Sequence, residues 1–90
     1  MNKGELIDAV SGKTGLAKAD ATRAVDATLD SILETLKSGG QVAIVGFGTF
    51  AVKTRAARTG KNPRTREVIQ IPSMRVPGFK AGKALKDAVN

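Results

Sequence analysis

The segment of residues 53–76, KTRAARTGKNPRTREVIQIPSMRV, differs in composition from the rest of the chain. Its first fourteen residues contain no acidic side chain and six basic ones, which are Lys53, Arg55, Arg58, Lys61, Arg64 and Arg66. Thr, Val and Ile flank Gly60-Lys61-Asn62-Pro63, and this pattern predicts a β-hairpin that turns at residues 60–63. Limbs of about twelve residues would extend about 35–40 Å at strand rise. Because an isolated ribbon is marginally stable in water, we expect a mobile arm until a partner holds it.

Positive charge is concentrated in the C-terminal part of the chain. The 90 residues include 15 Lys and Arg against 8 Asp and Glu, a net charge of +7. Residues 1–52 contain 5 basic and 6 acidic side chains (net −1), whereas residues 53–90 contain 10 basic and 2 acidic ones (net +8). Solubility alone does not require such segregation. It indicates a polyanionic partner, either nucleic acid or a membrane surface.

The residue types that are missing exclude several classes of function. The sequence contains no Cys, His, Trp or Tyr. Disulfide bonds, Cys or His metal sites and histidine general bases are therefore excluded, and we predict no enzyme, no metal and no cofactor. No apolar run approaches the roughly 18 residues of a membrane span, and the N-terminal residues lack the apolar core of a signal peptide. We expect a soluble, cytoplasmic binding protein.

Two helices are predicted before the strands. Asn2 is a candidate N-cap for the first helix, with Glu5 placed as in a capping box. Gly12 and Gly15 are expected to end that helix. The second helix fits residues 18–38 and ends at Gly39-Gly40. Its apolar stripe repeats at spacings of three and four residues and consists of Ala21, Val25, Leu29, Ile32 and Leu36.

Strands and a short helix complete the predicted domain. Residues 41–45 and 49–52 have strand composition, and Gly46-Phe47-Gly48 predicts the tight turn between them. A phosphate-binding loop would need a helix directly after these glycines, and none is predicted there. A helix is expected over residues 83–89. We therefore predict one α+β domain over residues 1–90, with a helical body (1–40), a sheet and arm (41–80, the arm at about 53–76) and the closing helix.

The predicted core is too small for one chain. Without the arm, 66 residues remain, which is below the size at which a single apolar core is usually sufficient. Disulfides and His or Cys metal sites are already excluded, so oligomerisation is the remaining means of stabilisation. We predict an obligate dimer with a shared apolar core of Val25, Leu29, Ile32, Leu36, Ile44, Phe47, Phe50 and Phe79.

Two other sites suggested by the helices are disfavoured by charge. The two helices and their glycine-containing turn suggest a helix-turn-helix motif, whose second helix would enter the major groove. Here that helix has more acidic than basic residues, so DNA phosphates would repel it. Asp26, Asp30 and Glu34 are spaced like a cation site, but a solvated helix face explains the same spacing.

Pro63 has two interpretations. It is an ordinary turn former, and it is also a rigid apolar ring at the tip of a basic arm. Such a ring can enter a base step from the minor groove and kink the duplex. The cations along the arm would neutralise phosphates with little sequence preference, and stacking on bases is disfavoured because the arm contains no aromatic residue.

The chain resembles the bacterial histone-like DNA-binding proteins, HU and integration host factor, in the spacing of Gly46-Phe47, Phe50, Arg55, Arg58, Gly60, Asn62-Pro63 and Thr65. The resemblance covers all 90 residues, including Phe79-Lys80-Ala81-Gly82-Lys83-Ala84-Leu85. It implies an intertwined helical dimer body, a three-stranded antiparallel sheet and two β-arms that embrace the minor groove. Ala17 and Gly78 depart from the family pattern. The first change affects the start of the second helix, and the second would loosen the base of the arm.

The resemblance also implies which residues meet DNA. Pro63 of each arm would insert between base pairs. The arm residues that would line the groove are Lys53, Arg55, Arg58, Lys61, Asn62, Arg64, Thr65 and Arg66. The residues that would meet flanking backbone on the saddle between the arms are Lys3, Arg75, Lys80, Lys83 and Lys86.

These observations predict an architectural, nucleoid-associated protein that binds and bends double-stranded DNA with little sequence preference. A site-specific bender of the integration host factor type is the alternative within the same fold. A membrane-surface protein would need a basic amphipathic helix with aromatic anchors, and the sequence has none. Structured RNA stays open as a further ligand, and the dimer is either a homodimer or a heterodimer with a paralogue.

Overall fold

The computed structural model describes all of residues 1–90. The chain forms two compact units, residues 1–35 and residues 36–90. The helices are α1 (Lys3–Thr14), α2 (Lys18–Lys37) and α3 (Lys83–Val89). The strands are β1 (Val42–Ile44), β2 (Gly48–Arg55), β3 (Arg58–Lys61), β4 (Val68–Ile71) and β5 (Met74–Ala81). The predicted α+β class is confirmed. None of the helices combines the length and apolarity needed to span a membrane.

Helix α1 begins as predicted but does not end at Gly12. The side-chain oxygen of Asn2 accepts a hydrogen bond from the backbone N–H of Glu5 at 2.9 Å, which satisfies one free N–H of the first turn. The helix ends at Gly15, whose φ of 76° lies in the left-handed region. The prediction that Gly12 ends the helix is wrong, because a glycine inside a helix costs only about 1 kcal/mol relative to alanine.

Helix α2 agrees with its predicted range to within one residue. It stops at Gly39, whose φ is 89° and whose N–H donates to the carbonyl of Leu36 at 3.0 Å. A left-handed residue at this position lets the chain leave the helix while one of the last carbonyls is satisfied. The last two residues of α2 belong to the second unit.

The first unit contains all the buried apolar side chains of the chain. They are Ile7 of α1 with Ala21 and Val25 of α2, and the partly buried Val10 packs against them. The two helices therefore bury only the N-terminal part of the apolar stripe of α2. Leu29, further along the stripe, is 46% exposed.

The second unit is built on the predicted three-stranded antiparallel sheet, and the structure shows its strand order to be β1-β2-β5. The turn that joins β1 to β2 uses Gly46, whose φ of 79° is unfavourable for other residues. Gly82 then joins β5 to α3, and its N–H donates to the carbonyl of Phe47 at 2.8 Å. Helix α3 has the predicted bounds.

The arm is a continuation of β2 and β5, interrupted once. Arg55 pairs with Met74 at the end of β2. After two unpaired residues in each strand, Arg58 pairs with Ile71, and β3 and β4 form a separate two-stranded sheet. The register therefore continues from the sheet into the arm without a slip.

The prediction of a turn at residues 60–63 is wrong. Gly60 and Lys61 lie in β3, and the loop spans residues 62–67, where the N–H of Asn62 donates to the carbonyl of Glu67 at 2.9 Å. The register of the β2–β5 pairing, which continues into β3 and β4, places the loop at residues 62–67. Composition alone suggested a turn that begins two residues earlier. The limbs, residues 53–61 and 68–76, are nine rather than twelve residues long, which corresponds to about 30 Å at strand rise.

A cluster of three phenylalanines requires Gly48. The ring of Phe79 lies with its centroid 4.7 Å from that of Phe50, its partner across the ladder, and 5.4 Å from that of Phe47. A Cβ atom on Gly48 would lie 2.5 Å from the Phe79 ring and from the carbonyl oxygen of Lys80. Neither the ring nor the backbone can move away without disturbing the β2–β5 pairing.

We expect the substitution Gly48→Ala to lower the free energy of unfolding by about 1–3 kcal/mol or more, the usual cost of overpacking. Gly12→Ala is the matched control, because a Cβ atom there meets nothing within 4 Å. Since Gly12 is helical, its replacement should raise stability by about 0.5–1 kcal/mol. Urea unfolding followed by circular dichroism measures both. A Gly48→Ala variant as stable as the parent would contradict the packing described above.

Candidate nucleic-acid interface

The pairing of β2 with β5 separates side chains onto two faces. Directly paired residues point to the same face, and successive pairs alternate between faces. One face carries the pairs Thr49–Lys80, Ala51–Gly78, Lys53–Val76 and Arg55–Met74. The other carries Phe50–Phe79 and Thr54–Arg75. Three predicted site residues, Lys53, Arg55 and Lys80, therefore share one face, and Arg75 lies on the opposite one.

A groove of about 700 Å³ runs over the face that bears Lys53, Arg55 and Lys80. Ala51 and Gly78 form the small pair between these cations, so nothing bulky separates them. Gly78 was expected to loosen the base of the arm. The strand is regular at this position, where Gly78 pairs with Ala51 of β2 in the same register as its neighbours. A Cβ atom at Gly78 would have open space around it, its nearest neighbour being 3.9 Å away.

A second groove, of about 480 Å³, adjoins the first, since Thr49 and Lys80 line both. Lys83 and Lys86 of α3 line the second groove, which brings them next to Lys80. Asp87 is the single acidic residue in the two linings. We call the resulting contiguous patch the cationic surface, and it consists of Lys53, Arg55, Lys80, Lys83 and Lys86.

Pro63 is exposed in the loop at the tip of the arm. The side-chain oxygen of Asn62 accepts a hydrogen bond from the N–H of Arg64 at 2.9 Å, and the carbonyl of Asn62 accepts one from the N–H of Arg66 at 2.7 Å. Proline has no N–H to leave unpaired, and its fixed φ suits the first position of such a turn. The loop is therefore closed by Asn62, and the proline ring is left free to contact a ligand.

Arg66 is the one residue other than glycine with a positive φ, at 58°. The left-handed conformation costs a residue with a Cβ atom about 1–2 kcal/mol. Sequence reasoning named Arg66 for its charge and missed this strain, which only the loop geometry reveals. The loop thus holds a cation close to Pro63 at a conformational cost.

The other arm cations do not form one row. Arg58 and Lys61 belong to pairs three apart in the β3–β4 ladder, so they point to opposite faces of the ribbon. Arg64 and Thr65 lie in the tip loop beside Pro63 and are exposed. Positive charge therefore surrounds the ribbon, in contrast to the one-sided cationic surface at its base.

Lys3 lies in the first unit and already has a partner. Its ammonium nitrogen is 2.5 Å from Oδ1 of Asp26. The hydrogen bond with this carboxylate, and its charge, raise the pKa of the Lys3 ammonium above the ordinary value. The Lys3 ammonium is therefore charged at neutral pH, and it loses its charge as the pH rises through that raised pKa.

Arg75 also has a structural partner. Its Nη2 donates to the carbonyl of Leu36 at 2.8 Å and to that of Lys37 at 3.1 Å, the last two residues of α2. Sequence reasoning assigned Arg75 to the DNA saddle and missed this contact, for which the sequence carries no local signal because the partners are 38 and 39 residues away.

The acidic residues form no metal site. No group of three or more Asp or Glu side chains is arranged to hold an ion. In the ladder of Asp26, Asp30 and Glu34, Asp26 is paired with Lys3, and the other two are exposed.

Comparison with known proteins identifies what this architecture is similar to. A family model described as bacterial DNA-binding protein matches residues 1–90. The DNA-binding protein HU-beta of Pseudomonas aeruginosa is 60% identical over 90 residues, which is the full length of both chains. The DNA-binding protein HU of Geobacillus stearothermophilus is 60% identical over 89 residues, 99% of each chain.

Solved structures give the same result. The HU chain of an Anabaena HU–DNA cocrystal structure superposes with a TM-score of 0.89 at 47% identity, covering 99% of this chain and 97% of that one. HU from Thermotoga maritima superposes with a TM-score of 0.73 at 40% identity over the whole of both chains.

We expect Arg66→Gly to order the tip loop, because glycine adopts the positive φ at no steric cost. Amide exchange at Asn62, whose N–H is bonded to Glu67, should slow by about five- to thirtyfold, which corresponds to about 1–2 kcal/mol. Arg66→Ala removes the same charge but keeps the strained conformation, and it should leave the exchange rate close to that of the parent. Equal slowing in both variants would attribute the effect to charge and contradict the role of backbone strain.

Proposed function

Because the chain belongs to the bacterial DNA-binding protein family, we propose a mechanism in which its cationic surface binds the phosphate backbone and its arm enters the minor groove. The protein is a histone-like, architectural DNA-binding protein of the HU kind and has no enzymatic role. Its sequence preference is low, as in HU, and it is not a site-specific bender of the integration host factor type. For its location we propose the nucleoid, in the cytoplasm.

The observation that carries the mechanism is the contiguous cationic surface. Lys80 lines both grooves and joins the cations of β2 to those of α3. Five exposed cations on one surface would neutralise several phosphates and release their counterions, so affinity should fall steeply with salt. Phosphates are the same in every sequence, which accounts for low sequence preference.

The arm adds a means of bending. Pro63 is exposed at the tip in a loop closed by hydrogen bonds to Asn62. Architectural proteins of this kind insert apolar side chains between base steps from the minor groove and kink the duplex. We assign this wedge role to Pro63 and groove contacts to the surrounding arm residues, which are Arg58, Lys61, Asn62, Arg64, Thr65 and Arg66.

We further propose that the protein acts as a homodimer. The single chain buries only Ile7, Ala21 and Val25, whereas large apolar side chains of the predicted dimer core are exposed. The exposed fractions are 46% for Leu29, 40% for Ile44, 44% for Phe47 and 44% for Phe79. A chain with so small a core is supported by association with a second copy, which also supplies a second arm. A heterodimer with a paralogue would cover the same surface.

We expect Pro63→Ala to reduce bending, and preference for nicked over intact duplex, more than general affinity. The preference should fall by about tenfold, or about 1.4 kcal/mol, because a nicked or pre-bent duplex is cheaper to deform and the wedge exploits that difference. Gel shifts with intact, nicked and bent duplexes across a salt series measure the general affinity and the preference for nicked or bent DNA. A structured RNA competitor in the same assay reports whether RNA shares the site.

The control for this prediction is Lys83→Gln, which removes a cation and leaves the tip intact. It should lower the slope of log affinity against log salt by about 0.9 and retain the preference for nicked DNA. Equal losses of affinity, bending and preference in Pro63→Ala would refute the wedge role.

We expect sedimentation to give the mass of two chains at micromolar concentration. Leu29→Ser should lower the free energy of unfolding by about 2–3 kcal/mol, the value for a fully buried leucine, although one chain leaves this residue half exposed. Val89→Ser is the control, because Val89 is 75% exposed and lies outside the predicted dimer core. It should change stability by about 0.5 kcal/mol at most. A folded monomer, or equal small effects of the two substitutions, would contradict the dimer.

A further inference from the structure

Arg75 is a cation at the base of the arm that the cationic surface does not include. It lies in β5 opposite Thr54 and therefore points to the face opposite Lys53, Arg55 and Lys80. On that face its guanidinium meets the C-terminal end of α2. A side chain that faces away from the cationic surface is badly placed to share a phosphate with it.

The contact that Arg75 makes is specific in its chemistry. Its Nη2 donates to the carbonyls of Leu36 and Lys37 at 2.8 and 3.1 Å. The last carbonyls of a helix lack partners within the helix and lie at the negative end of the helix dipole. A guanidinium satisfies both requirements, since it supplies N–H donors and a positive charge.

The helix end is built to receive this side chain. Gly39 leaves α2 with a left-handed φ of 89°, and a Cβ atom there would lie 3.9 Å from Nη2 of Arg75. The N–H of Gly39 also donates to the carbonyl of Leu36, which therefore accepts two hydrogen bonds. The last turn of α2 is thus closed by its own backbone and by a residue of β5.

We propose that Arg75 is a positioning residue that ties the base of the arm to the last turn of α2 and so sets the direction in which the arm leaves the sheet. Arg75 is next to Met74, the first residue of β5 after the interruption that follows β4. A tether at this point holds the strand pair where the arm begins. The proposal rests on the proposed function, because direction matters only if the arm engages DNA.

The test compares Arg75→Gln and Arg75→Lys with Lys83→Gln from the cationic surface. In the free protein, loss of the guanidinium contact should speed amide exchange in residues 35–39 and 53–55 by about two- to tenfold, as expected for a hydrogen-bond pair of ordinary strength. Arg75→Lys keeps the charge but loses the fork geometry, and it should restore only part of the protection. Unchanged exchange in Arg75→Gln would overturn the tether.

On DNA, a positioning role and a phosphate contact give different results. Arg75→Gln should leave the slope of log affinity against log salt unchanged, whereas Lys83→Gln should lower it by about 0.9. Energy transfer between dyes at the duplex ends should report a broader range of bend angles for Arg75→Gln than for the parent. A slope lowered in Arg75→Gln and restored in Arg75→Lys, or a bend distribution equal to that of the parent, would overturn the proposal.

One measurement needs no variant. In the unmodified protein, the guanidinium N–H signals of Arg75 should exchange slowly and keep their chemical shifts when duplex DNA is added. Rapidly exchanging signals, or signals that shift on titration like those of Lys83, would overturn the proposal. If the protein fails to bind DNA, the proposed function fails, while the exchange data on the free protein still decide the tether.

Discussion

The antiparallel pairing of β2 with β5 is the constraint on which the second unit depends. It stacks Phe79 on Phe50 and requires a glycine at position 48, where any side chain would collide with the ring. Its alternation sends Lys53 and Lys80 to one face and the aromatic pair to the other. Its register continues into β3 and β4, so the same pairing that closes the sheet also locates the loop that carries the proline.

The elements with local signals were predictable from the sequence. Asn2 caps α1 as expected, and α2 and α3 have the expected bounds within one residue, because caps and apolar periodicity act over a few residues. The arm turn was misplaced because Gly60-Lys61-Asn62-Pro63 has turn composition, whereas the strand pairing at the base of the arm decides the register. Charge segregation predicted the cationic part of the chain, but only the fold brings α3 beside the sheet residues.

Two of the cations assigned to the DNA saddle, Lys3 and Arg75, have partners in the structure. A lysine or arginine in a sequence carries no information on whether a carboxylate or a helix end lies within reach. Lys3 meets Asp26, 23 residues away, and Arg75 meets the end of α2. Pairs this distant in sequence depend on how helices and strands are arranged, so they become visible only once the fold is known.

The arm also has a property that concerns the protein in the absence of DNA. Both strands of a two-stranded ribbon are edges, and β4, with the sequence VIQI, has the composition of segments that add to other sheets and aggregate. Arg66 and Glu67 precede this segment, Pro72 follows it, and Arg58 and Lys61 lie opposite it. Charges and proline at such positions discourage pairing between chains. The cations of the arm, which we propose to contact DNA, therefore also discourage one arm from adding to another.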